Sequence, residues 1–282
     1  MTPTGVRTSE MIVSGLRSPM IESGPSSSDE AAVFVHGNPG SSQDFAALVE
    51  RTGEFARAVA IDMPGFGRGD KPADFDYTVL GYARHLEVAL SQLGVRRAHL
   101  VLHDFGGPWG LEWACAHPDA FASATLVGTG VLIGYHWHYL ARVWRTPLLG
   151  NLFQASATRA AFGLLLRHGN PRRLPKEFVD RMYSDYDRGT RRAVLRLYRA
   201  TPDPAGDGQR QADILRLLDR PALVVWGRHD PYLSVALAER QRQAFPRARI
   251  VILDRSGHWP FVDDPDSVAT AVIPFLREQF GA

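Results

Sequence analysis

Asp104 closes an apolar run, His99-Leu-Val-Leu-His-Asp104, and Phe105, Gly106 and Gly107 follow it. The run reads as a buried strand, and the glycines tolerate close backbone contact, so Asp104 occupies a tight turn from a strand into a helix. An aspartate at such a turn can cap the helix; it can also do chemistry. Two later segments hold what that chemistry requires. Leu223-Val-Val-Trp-Gly-Arg-His-Asp230 ends in an acid, and Val251-Ile-Leu-Asp-Arg-Ser-Gly-His258 ends in an imidazole. A carboxylate, with an ordinary pKa of about 3.9, is ionised near neutrality and attacks without help from a base. It is a modest nucleophile, so its targets are saturated carbons with a strained or good leaving group: an epoxide or a carbon–halogen bond. Displacement leaves an alkyl ester on Asp104. His258, held in the proper tautomer by Asp230, would then deprotonate the water that attacks the ester. No metal or organic cofactor is needed.

These residues depend on elements that bring strand ends together. Short aliphatic runs bounded by Gly and Pro alternate with longer amphipathic stretches, the pattern of a parallel sheet wrapped by helices. Strands are expected at 31–35, 58–61, 99–102, 124–127, 222–226 and 250–253, with 11–13 and 19–22 as an antiparallel edge pair. Helices are expected over 44–51, 79–93, 107–116, 233–244 and 265–279. The second repeats Val79, Tyr82, Ala83, Leu86, Leu90 and Leu93 on one face. The alternation stops after Thr129 and resumes near Pro221. The residues between are rich in Trp, Tyr, Leu and Arg at helical spacing, and read as a helical cap over the carboxyl edge of the sheet. The expected division is 1–130 and 220–282 for the sheet domain and 131–219 for the cap.

The Asp104 turn, in a chain that has no G-x-S-x-G, resembles the aspartate-nucleophile branch of the α/β-hydrolase fold family, the epoxide hydrolases and dehalogenases. The resemblance implies a mostly parallel eight-stranded sheet with the cap inserted after strand 6. It also matches the order Asp104, Asp230, His258 to nucleophile, acid and histidine. Val33-Phe-Val-His-Gly-Asn-Pro-Gly40 is a strand entering a Gly/Pro turn of the type that aims backbone N–H groups at an oxyanion. In relatives one donor follows the His-Gly pair, here Asn38, and the other follows the nucleophile, here Phe105. Ile61-Asp-Met-Pro-Gly-Phe-Gly67 looks like the family's D-x-P-G-x-G loop, with Asp62 in a structural role.

Related epoxide hydrolases take leaving-group protons from two cap tyrosines. Tyr198 stands where the later one is expected, and Tyr135 or Tyr139, in Gly134-Tyr-His-Trp-His-Tyr139, could be the earlier. Tyr135-His136-Trp137 also resembles the cap segment of fluoroacetate dehalogenases, and His-Gly-Asn-Pro the turn of haloalkane dehalogenases. Phe105, however, stands where haloalkane dehalogenases carry Trp, and the arginines of fluoroacetate dehalogenases are missing after Asp104. Trp137, Trp144, Phe153 and Phe162 suggest an apolar cap lining. The expectation is an epoxide hydrolase acting on a small apolar substrate and water, with a dehalogenase as the near alternative and a non-catalytic binding protein as the alternative of another class.

At 282 residues, 45% hydrophobic and 22% charged, the chain can bury a full core, and it is neither a disordered tail nor, with Cys115 alone, a disulfide scaffold. A net charge of +2 with no nucleic-acid motif gives no sign of a nucleic-acid partner. No apolar run reaches the roughly 18 residues of a membrane span. Met1 to Glu30 lacks a secretory pattern, so a cytoplasmic location is expected, and Met1 to Thr8 is expected to be mobile. Oligomeric state is not encoded legibly. Between Val131 and Arg210 fourteen Lys and Arg accompany six acids. This excess means either an anionic partner or an abundance of structural arginine.

Overall fold

The computed structural model describes residues 5–282. Its strands are β1 (Arg7–Val13), β2 (Leu16–Ser23), β3 (Glu30–Val35), β4 (Arg57–Ile61), β5 (Arg97–His103), β6 (Phe121–Val127), β7 (Ala222–Gly227) and β8 (Arg249–Leu253). They form one sheet in the order β1-β2-β4-β3-β5-β6-β7-β8. β1 and β2 form the antiparallel edge, and β3 to β8 run parallel. β4, β6 and β7 are buried at every residue, as strands covered on both faces must be. Arg7 and Thr8, expected to be mobile, pair with Glu22 and Ile21 in β1. Residues 1–4 of that expected mobile stretch lie outside the described residues.

The helices are α1 (Ala46–Gly53), α2 (Val79–Gln92), α3 (Gly106–Ala116), α4 (Tyr139–Arg145), α5 (Leu149–Ala155), α6 (Arg159–His168), α7 (Lys176–Asp185), α8 (Arg188–Ala200), α9 (Pro204–Leu218), α10 (Ala236–Arg240), α11 (Pro260–Asp263) and α12 (Pro265–Phe280). Thr78 caps α2 by accepting the Gly81 N–H at 3.0 Å. The apolar face of α2 lies on α3, where Tyr82 stacks on Trp109 with ring centroids 3.9 Å apart. A single helix over 233–244 does not form. Asp230 accepts the Tyr232 and Leu233 N–H groups, and Trp226 Nε1 donates to the Leu233 carbonyl, so this stretch is held as a turn before α10 begins.

Six helices, α4 to α9, fill the chain between β6 and β7. Their arginines are largely spent on carbonyls and acids of the protein itself. Arg145 Nη1 donates to the Tyr198 and Thr201 carbonyls, Arg191 to those of Gln154 and Ala157, and Arg181 ties α7 to Ser41 and Asp44 below. α9 packs beside α3, where Gln211 donates to the Pro108 carbonyl. Among the described residues no helix is long and apolar enough to cross a membrane, and no group of three or more His, Cys, Asp or Glu could hold a metal ion.

β3 and α3 approach so closely that a Cβ on Gly106 would stand 2.1 Å from the Val35 carbonyl oxygen. That neighbour is backbone paired into the sheet and has nowhere to move. Gly106→Ala should therefore lower stability by about 1–3 kcal/mol, measurable by chemical denaturation; an unchanged midpoint would contradict this packing.

Candidate active site

Asp104 sits between β5 and α3 with φ of 47°, in the left-handed region that side chains other than glycine rarely occupy. Strain of this kind persists where surrounding contacts over-determine the backbone. Here the Gly107 N–H and the Thr129 hydroxyl both donate to the Asp104 carbonyl, at 2.9 and 2.5 Å. The turn after β3 meets the Asp104 side chain from the other side. Asn38 N donates to Asp104 Oδ2 at 2.7 Å, and the Phe105 N–H faces the same carboxylate. A side chain at Gly37 would destroy this approach, because its Cβ would lie 2.5 Å from Oδ2.

The other carboxylate oxygen, Oδ1, lies 4.0 Å from His258 Nε2. His258 Nδ1 is 2.8 Å from Asp230 Oδ2, while Asp230 Oδ1 accepts the Tyr232 and Leu233 N–H groups at 2.8 and 3.0 Å. An ionised carboxylate only accepts, so His258 carries a proton on Nδ1, and its Nε2, the atom that can take up or release the second proton, faces Asp104. His103 Nε2 donates to the His258 carbonyl at 2.7 Å, and burial keeps that second ring neutral.

Burial acts on both members of the pair. It raises the Asp104 carboxyl above its ordinary pKa, opposed by His258 and by the Asn38 and Phe105 N–H groups. It pushes the His258 imidazole down, but the Asp230 carboxylate and then Asp104 more than reverse this, leaving it above the ordinary histidine value.

Asp104 stands where two lobes of one cavity meet. The first is lined by Asn38, His258, Trp259, Trp144, Phe162 and Tyr186. The second is lined by Phe105, Pro108, Leu132, Tyr135, Trp137 and Leu233. Asp104, His138, Tyr198 and Tyr232 line both. Tyr198 Oη is 3.4 Å from Asn38 Nδ2, and its ring packs against Phe105, Trp137 and Trp144. Asn38 Oδ1 and the indole nitrogens of Trp137, Trp144 and Trp259 are buried without a partner.

The structure thus gathers Asp104, Asp230, His258, Asn38, Phe105, Tyr198, Tyr135 and Trp137. Tyr139 and His136 are exposed and line neither lobe. His138 caps α4 with its ring turned inward, which leaves these two neighbours outward. Phe153 packs on Trp144 outside the cavity lining, whereas Trp144 and Phe162 do line it. Sequence reasoning missed His138, Tyr232 and Trp259. Tyr232 lies two residues after Asp230 and Trp259 directly after His258, a proximity that could have flagged them. His138 gave no such signal.

The sequence pattern of the alpha/beta hydrolase fold family matches residues 33–265. The chain belongs to that family. It is similar to a cis-3-alkyl-4-alkyloxetan-2-one decarboxylase of Xanthomonas campestris, at 26% identity covering 93% of each chain. A haloalkane dehalogenase of Bradyrhizobium elkani superposes with a TM-score of 0.84 at 20% identity, over 98% of this chain and 99% of the other. An epoxide hydrolase superposes at 0.81 and 17% identity, over 98% and 99% of the two chains.

An NMR pH titration should place the His258 imidazole above the ordinary value of about 6.5. Asp230→Asn should bring it down, because the carboxylate that chiefly offsets the desolvation of the imidazolium is removed. A His258 that titrates at or below 6.5 before substitution would contradict the balance described.

Proposed function

We propose that this α/β hydrolase opens an electrophilic saturated carbon through an alkyl ester of Asp104, and that its substrate is a small epoxide bearing an apolar group. The observation that carries this is the division of labour between the two oxygens of one carboxylate. Oδ2 accepts the Asn38 N–H, as the oxyanion of a tetrahedral intermediate would, with the Phe105 N–H facing the same carboxylate, while Oδ1 keeps the His258 side.

Oδ1 attacks a ring carbon, the carbon–oxygen bond breaks, and the alkoxide takes the proton of Tyr198, a hydroxyl that burial and the nearby Asp104 charge hold protonated in the free site. His258 then removes a proton from water, hydroxide adds to Cγ of the ester, and negative charge gathers on Oδ2 between the two N–H groups. Collapse expels the second alkoxide, which takes the proton from His258. The proton left on the Asp104 carboxyl returns to the phenolate, so epoxide and water give a diol. In this reading the helices within 131–219 form the cap over a sheet domain of 1–130 and 220–282.

The unpartnered indole N–H of Trp137, which lines the second lobe with Asp104, favours a second reading, in which the leaving group is halide. The relative that acts on an oxetan-2-one adds a third electrophile with a strained oxygen ring.

His258→Ala should stop ester hydrolysis while leaving its formation intact, lowering turnover about 10²–10⁴-fold. Mass spectrometry after incubation with epoxides, haloalkanes and oxetan-2-ones should then show an epoxide-derived adduct on Asp104. An adduct from haloalkanes or oxetanones alone would reassign the substrate, and none from any class would favour a binding protein. Tyr198→Phe should slow epoxide opening about 10²–10³-fold; unchanged turnover would remove Tyr198 from the chemistry.

A further inference from the structure

His138 begins α4 as its N-cap, a position at which Ser, Thr, Asp or Asn is the usual choice. Its Nδ1 accepts the Ala141 N–H at 3.2 Å. A nitrogen that accepts a hydrogen bond carries no proton, so the neutral ring carries its proton on Nε2. The cation would set an Nδ1–H against the Ala141 N–H. Burial acts in the same direction, pushing the ring down to about 3.

Nε2 of His138 lies 3.5 Å from Tyr198 Oη, and Asn38 Nδ2 lies 3.4 Å from the same oxygen. Both contacts are long, as hydrogen bonds in unliganded sites often are before substrate tightens them. Building on the alkyl-ester reading above, we infer that His138 is a positioning residue: its Nε2–H and the Asn38 amide occupy the acceptor sites of the Tyr198 hydroxyl, so the phenolic proton is aimed into the cavity at the leaving group.

A buried tyrosine with one polar neighbour could turn its O–H toward that neighbour and be lost to catalysis. Here both flanking groups are donors, and a donor cannot take the proton. Packing of the ring against Phe105, Trp137 and Trp144, at centroid distances of 5.1, 5.2 and 4.8 Å, holds the oxygen in place. Accepting two hydrogen bonds also polarises the O–H and strengthens what it donates. The site is therefore matched to an anionic leaving atom. The same account explains the choice of residue: an asparagine would cap α4 as well, but only the imidazole caps with one nitrogen and carries an N–H across to Tyr198 with the other.

His138→Asn separates the two duties, because Asn keeps the cap and removes the N–H at Tyr198. The variant should unfold at nearly the same temperature as the parent, with KM for an epoxide little changed and kcat lower by about tenfold. In a Tyr198→Phe background the same substitution should cost nothing further; losses that multiply would overturn the inference. A ¹⁵N NMR spectrum of the imidazoles in the unliganded enzyme, with His138 assigned by the signals missing from His138→Asn, should show a protonated Nε2 and a bare Nδ1. A protonated Nδ1, alone or in an imidazolium, overturns the inference whatever the substrate. Inactivity toward every epoxide would instead defeat the epoxide assignment and leave the NMR result to decide the tautomer, so the two failures are distinguishable.

Discussion

The hydrogen bond from Asn38 N to Asp104 Oδ2 is the contact on which the rest of the site depends. It exists because two turns from neighbouring parallel strands, β3 and β5, reach the same edge of the sheet and meet without side chains between them. Gly37 leaves space for the carboxylate, and Gly106 and Gly107 let α3 start directly against β3 and Thr129. Asp104 is the one residue in this contact region that must carry a side chain, and it does so at a backbone conformation that costs of order 1–3 kcal/mol. The Thr129 hydroxyl and the Gly107 N–H on its carbonyl keep that conformation from relaxing.

Around this contact the charges are arranged in series. Asp230 spends one oxygen on two main-chain N–H groups and the other on His258, so its charge is fixed in direction. His258 in turn presents its Nε2 to Asp104. In the proposed reaction the Asp104 charge disappears when the ester forms, leaving Asp230 as the main partner of the imidazole when it must accept a proton from water. The apolar walls of the two lobes, Phe162, Trp144, Leu132 and Pro108 among them, would in that reaction face the apolar group of the substrate.

Much of this was legible in the sequence because strand ends are marked by residue type. The aliphatic runs that end at or within five residues of Asp104, Asp230 and His258 place all three at the carboxyl edge of one sheet, and parallel strands leave them no other edge to reach. What lay above that edge was less readable. In Tyr135-His-Trp-His-Tyr139, histidine, tryptophan and tyrosine all look capable of lining a cavity, and the start of α4 decides which ones do. A shift of two residues exchanges His136 for His138, and no strong capping residue in the sequence fixes that start. The basic cap left two readings open for a different reason: arginines such as Arg145 and Arg191 satisfy helix carbonyls that composition cannot see.

A single turnover of excess enzyme with an epoxide in ¹⁸O-labelled water tests the central claim most directly. If the ester of Asp104 is hydrolysed at its carbonyl, the peptide containing Asp104 gains one labelled oxygen and the first diol released carries none. Label found in that diol, with Asp104 unlabelled, would mean that water attacks the substrate itself, and the covalent account would be wrong.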